Sequence, residues 1–77
     1  GDFLFYKLNL KQLRLSKGFT QEQLAFKVGL SQPYISKLEK NDRKVSPTLK
    51  EIQKICEALE CYLCDLVEIE CKLKGTL

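Results

Sequence analysis

With 77 residues, 44% of them apolar and 30% charged, the chain can fold around one small core, which excludes intrinsic disorder and a second domain. No stretch nears the roughly 18 apolar residues of a membrane span, and the start GDFLFYKLNLKQ lacks the basic leader and long apolar centre of a secretion signal. A single soluble, cytoplasmic domain over 1–77 is therefore expected, with no membrane contact. The formal charge of +3 is lopsided: Lys7–Lys44 has nine basic residues against three acids, Val45–Leu77 four against six. The first half thus favours a polyanionic partner, although a solvated charged face would give the same count.

The first stretch, Asp2 to Lys7, is short, aromatic and extended in pattern. Leu8, Leu13 and Leu15 within LNLKQLRLSKG predict a first helix closed by Gly18, a residue that accepts the left-handed conformation ending helices. Thr20 and Gln23 form a capping-box signature for a second helix, whose inner face is Leu24, Ala25 and Val28 and which Gly29 ends. Ser31 caps a third helix with Pro33 in its first turn and Tyr34, Ile35 and Leu38 on its apolar side. After the loop NDRKVSP, a second capping box at Thr48 and Glu51 opens the best-marked helix, with Leu49, Ile52, Ile55, Cys56 and Leu59 at helical spacing. A short fifth helix carries Leu63, Leu66 and Val67, with Tyr62 where a small polar cap is usual. From Val67 the period changes to two: Val67, Ile69, Cys71 and Leu73 alternate with charged residues, so a strand is predicted over 67–73. The two ends of the chain can pair as a small sheet.

The second and third helices are too short to be stable alone, so packing on each other and on the first and fourth must hold them. The joint Gly29-Leu30-Ser31 fixes their angle, and Ala25 is small enough for a close crossing. With Ile35 and Leu38 in the core, Gln32, Pro33, Ser36, Lys37 and Lys40 form an outward face that is polar and basic. Such a helix suits the DNA major groove, where a Gln amide can make two hydrogen bonds to one adenine.

The segment GFTQEQLAFKVGLSQPYISKLE resembles the DNA-binding domain of the Cro and lambda-type phage repressor family, also called the xenobiotic-response-element family. Arg14, Gly18, Thr20-Gln21, Leu24-Ala25, Gly29, Ser31, Ile35-Ser36, Leu38-Glu39 and SPTLKEIQKICEAL fall in its register, over about Leu8 to Glu68. The resemblance implies an all-α, five-helix lambda-repressor-like fold, here with a short terminal β-strand, and a helix-turn-helix unit over 21–40. It implies that Gln32 reads a base, with Pro33, Ser36 and Lys37 at the other base-facing positions. Gln21 would contact a phosphate, and Tyr34, Lys40, Asn41, Arg43 and Lys44 would lie along the DNA backbone. Arg14 would pair with Glu39 as a structural ion pair. Two departures limit the transfer of any sequence preference: Pro33 brings no amide, and NDRKV replaces the usual glycine-containing turn.

Four cysteines, with Cys61 and Cys64 as a C-x2-C pair near Cys56 and Cys71, could hold zinc. Cys56 falls on an apolar helix face, however, and ICEALEC resembles a small-repressor variant with ordinary core cysteines. Reduced thiols are the favoured reading, with Cys64 and Cys71 the positions for oxidation or an inter-subunit disulfide. With no His, no paired carboxylates and no phosphate-binding glycine loop, an enzyme is not expected, nor a cofactor, metal or small-molecule ligand. The expectation is a repressor-type regulator that occupies a double-stranded DNA operator as a homodimer, the strand 67–73, with or without Phe3 to Lys7, serving as dimerisation element, and with no room for a ligand-sensing domain. The rival is a protein-interaction module on the same fold, such as an antitoxin subunit or coactivator. RNA binding has no supporting motif.

Overall fold

A computed structural model describes residues 3–72 of the chain. The order of elements is β1 (Phe3–Leu8), α1 (Leu10–Ser16), α2 (Gln21–Val28), α3 (Gln32–Glu39), α4 (Leu49–Leu59), α5 (Leu63–Leu66) and β2 (Val67–Lys72). The five expected helices are present, and the terminal strand has a partner. β1 and β2 form a two-stranded antiparallel sheet, with Phe3 opposite Lys72 and Leu8 opposite Val67. Leu73, the expected end of the second strand, lies outside the described residues.

Local chemistry sets the helix starts. Thr20 Oγ1 accepts the Gln23 N–H at 3.0 Å while Gln23 Oε1 accepts the Thr20 N–H at 2.9 Å. Thr48 and Glu51 repeat the exchange at 3.1 and 2.9 Å. Each box satisfies two donors that a helix start would otherwise leave open. Ser31 Oγ accepts the Tyr34 N–H at 3.2 Å, and Pro33 occupies the first turn of α3. α5 has no side-chain cap at Tyr62; Asp65 Oδ2 instead accepts the Tyr62 N–H at 3.1 Å.

Between α2 and α3 the chain turns at Gly29, which has φ +74°. The Leu30 N–H returns to the Ala25 carbonyl at 2.9 Å and closes the end of α2. An added Cβ at Gly29 would meet nothing within 4 Å, so the dihedral alone, and not crowding, calls for glycine there.

The core lies where α1 to α5 converge: Leu10, Leu24, Ile35, Leu38, Ile55, Leu59 and Leu66 are fully buried, with Leu8, Ala25, Val28 and Ile52 around them. Three expected apolar positions lie outside it. Leu15 is 58% exposed, because Leu10 and Arg14, one turn apart, take the inward face of α1. Leu49 is 86% exposed; it is the first residue of α4, and the inward face begins one turn later at Ile52. Leu63 is exposed, leaving Leu66 as the buried residue of α5.

Cys56 and Cys61 are half-buried and Cys64 is exposed, all as free thiols. Cys61 follows Glu60, whose φ is +51°, and its N–H returns to the Cys56 carbonyl at 3.1 Å. This helix-ending turn brings the two thiols near each other, and burial, then the charge of and hydrogen bond with the neighbouring Cys61, push the Cys56 thiol up to about 11. The Cys71 side chain is outside what is described. Among the described residues no group of His, Cys, Asp or Glu could hold a metal ion, and no helix is long and apolar enough to cross a membrane.

Candidate nucleic-acid interface

The two faces of α3 differ as the spacing predicts. Ile35 and Leu38 are buried and Tyr34 half-buried, while Gln32, Pro33, Lys37 and the following Lys40 are exposed and Ser36 is half-buried. A buried ion pair fixes the helix. Arg14 Nε bonds Glu39 Oε2, and Arg14 Nη2 donates to Glu39 Oε1 at 3.2 Å. The two side chains are only 8% and 3% exposed. Arg14 Nη1 donates to the Phe19 carbonyl at 2.7 Å, which ties the α1–α2 turn into the same knot.

Gln21 joins this network. Its Nε2 donates to Glu39 Oε1 at 2.8 Å, so the last residue of α3 is gripped by side chains from both α1 and α2. Gln21 and Gln32 also line one shallow hollow with Thr20 and Glu22. A charge so enclosed is tolerable only because each oxygen has a donor; among the described residues no buried polar side-chain atom lacks a partner.

Two residues expected along the DNA backbone are engaged inside the molecule. Tyr34 Oη donates to Glu51 Oε1 at 2.7 Å. Burial chiefly, then this bond to a carboxylate and its charge, push the Tyr34 hydroxyl up to about 12. The same bond, with the Thr48 N–H, holds the Glu51 carboxyl below its usual range. Asn41 ends α3 in a left-handed conformation, φ +55°. Its Oδ1 accepts the Leu8 N–H at 2.7 Å and its Nδ2 donates to the Leu8 carbonyl at 3.1 Å. One side-chain amide thus pairs with a strand residue as another strand would.

The remaining basic positions are on the surface. Arg43 and Lys44 are exposed in the loop after α3. Asp42 shapes that loop: its Oδ1 accepts the Lys44 N–H at 2.9 Å and its carbonyl accepts the Val45 N–H at 3.0 Å. Lys37, Lys40, Arg43 and Lys44 accordingly run from the outward face of α3 into the turn beyond it, an arrangement able to meet a phosphate backbone. Sequence reading missed the partners Leu8 and Glu51. It also passed over Asp42, although an Asp two residues before a turn N–H is a recognisable turn signal.

Comparison with known proteins gives a consistent answer. A family model described as helix-turn-helix matches residues 10–66. The control protein C.BamHI of Bacillus amyloliquefaciens is 41% identical over 66 residues, 84% of this chain and 79% of that protein. The crystal structure of the restriction-modification controller protein C.AhdI from Aeromonas hydrophila matches with a TM-score of 0.66 and 34% identity, over 73% of this chain and 82% of that one. The N-terminal DNA binding domain of SinR from Bacillus subtilis matches at 0.63 and 30% identity, over 70% and 77%.

Proposed function

Since the chain belongs to the helix-turn-helix family, we propose that it is a DNA-binding transcription regulator that places α3 in the major groove of a double-stranded operator and acts by occupying it. The observation that carries this is the division of α3. One side is locked through Ile35, Leu38 and the Arg14–Glu39–Gln21 network, and the other presents Gln32, Pro33 and Lys37 to solvent.

In this reading Gln32 reads a base edge, with Pro33, Ser36 and Lys37 beside it, and residues 21–40 form the reading unit of a single domain. Lys40, Arg43 and Lys44 meet phosphates. Gln21 is held by Glu39, so its contribution is the N-terminus of α2, where backbone N–H groups favour an anion. Asn41 and Tyr34 act indirectly, by fixing the end and the back of α3.

Two copies bind together, because one such helix spans only a few base pairs and two-fold pairs read half-sites about 34–36 Å apart. The likeness to a control protein and to a restriction-modification controller supports an operator that governs genes of such a system.

Selection of bound duplexes from a random pool tests the reading. Enrichment of a two-fold-symmetric site, with affinity falling steeply as salt rises, is the expected result. Absence of any enriched site, or an association indifferent to salt, would favour the protein-interaction module instead.

A further inference from the structure

The ends of α2 and α4 are built alike and filled differently. At the end of α2 the Leu30 N–H returns to the Ala25 carbonyl at 2.9 Å and the Gly29 N–H to the Phe26 carbonyl at 3.3 Å. At the end of α4 the Cys61 N–H returns to the Cys56 carbonyl at 3.1 Å and the Glu60 N–H to the Glu57 carbonyl at 3.3 Å. In each, a left-handed residue, Gly29 or Glu60, turns the chain, and the first and last residues of the turn are brought into side-chain contact. In α2 that pair is Ala25 and Leu30, which can only pack. In α4 both members are thiols.

Cys56 and Cys61 are half-buried, free and packed against the core, whereas Cys64, in α5, is exposed. Cys61 is thus turned inward beside Cys56, although the C-x2-C spacing joins it to Cys64 in sequence. We propose that Cys56 and Cys61 are a reversible modification site, which hydrogen peroxide converts to an intrachain disulfide across the end of α4. The backbone has already made the close approach that such a bridge needs. The site goes beyond the DNA-binding reading and does not depend on it, since neither cysteine belongs to α1, α2 or α3.

The chemistry divides between the two sulfurs. Burial, then the neighbouring thiol, keeps Cys56 protonated up to about 11, so the first attack falls to Cys61. Its Sγ, as thiolate, takes one oxygen of the peroxide; the O–O bond breaks, a sulfenic acid forms, and the released hydroxide leaves as water with the Cys61 proton. Cys56 Sγ then attacks the Cys61 sulfur, the S–O bond breaks, and the Cys56 proton leaves with the hydroxyl as a second water. Two thiols have given up two electrons and two protons, and one peroxide has become two waters. Without Cys56 beside it, the Cys61 sulfenic acid would be open to further, irreversible oxidation. The bridge ties the end of α4 to the approach of α5, between the buried residues Leu59 and Leu66.

Peptide mapping of the full, reduced chain after treatment with hydrogen peroxide tests the site, free cysteine in the same solution serving as control. Cleavage after Glu57 and Tyr62 separates Cys56, Cys61 and Cys64. The expected result is a Cys56–Cys61 link within one chain, with loss of those two thiols and their return on adding dithiothreitol. A variant carrying Cys64→Ser and Cys71→Ser should form the same link, and adding Cys56→Ser to it should leave Cys61 oxidised beyond rescue by dithiothreitol. The bridged chain should also unfold at higher urea than its reduced form, because a closed ring restricts the unfolded chain. A link from Cys61 to Cys64, oxygen gained on Cys56 or Cys61 without a bridge, or both thiols intact while the free cysteine oxidises, each overturns the proposal. So does a bridged chain that unfolds at lower urea, since the folded turn would then be strained by the bond.

Discussion

Tyr34 on α3 and Glu51 on α4 share a 2.7 Å hydrogen bond, and the same carboxylate oxygen accepts the Thr48 N–H that starts α4. α3 is therefore braced against the cap of its neighbour. Tyr34 is raised from 10.0 to about 12, so its contribution is complete below pH 10 and lost as pH climbs through 12. Glu51 is lowered from 4.5, so its share is complete above that value and lost as acid protonates it in the folded protein. Tyr34→Phe should cost about 1 kcal/mol at neutral pH and remove this residue's share of the alkaline loss. Urea unfolding at acid, neutral and alkaline pH checks both.

Glu39 accepts from Arg14 and Gln21 in a nearly closed seam. Glu39→Ala strands the Arg14 guanidinium and should lower stability by about 3–5 kcal/mol. Gln21→Ala removes one donor from a still-paired carboxylate and should cost about 1 kcal/mol. Thermal or urea unfolding of the two variants would reveal the order, and equal losses would mean that the ion pair is not the clamp.

Gln32 and Lys40 should separate sequence reading from charge. Gln32→Ala is expected to relax preference at one base pair per half-site by about 1–3 kcal/mol. Lys40→Ala should weaken binding to every duplex alike and reduce the salt slope by about 1 per half-site. Competition binding with single-base operator variants across salt concentrations gives both numbers.

Asn41 combines an unusual backbone with a bidentate side chain. Asn41→Gly keeps the left-handed turn without strain yet loses both bonds to Leu8, and should cost about 1–3 kcal/mol. Asn41→Asp keeps an acceptor for the Leu8 N–H and should fall between. A glycine variant as stable as the wild type would show that the conformation, and not the clamp, explains the residue.

Much of the fold was legible because its signals are local. Thr20 with Gln23, Thr48 with Glu51, Ser31 before Pro33, and Gly29 each act within one turn, and each sits where its spacing places it. Leu15 and Leu49 misled, because in helices of two or three turns an apolar residue at one end need not share the buried face. The outward face of α3 was readable from Ile35 and Leu38 alone, and the family resemblance supplied the Arg14–Glu39 pair. The partners of Tyr34 and Asn41, 17 and 33 positions away, were not readable. A Tyr and an Asn on a basic surface look the same in sequence whether they face a phosphate or their own chain.

The pairing of Phe3–Leu8 with Val67–Lys72 also bears on how the molecule is made. Every helix can begin from neighbours in the chain, whereas this sheet must wait for Val67–Lys72 to emerge and then close a ring around the five helices between the strands. Closure entropy makes such a contact slow, so the helical body should assemble first and the strands zip afterwards. Newly synthesised copies would then hold α3 in place before their two strands meet.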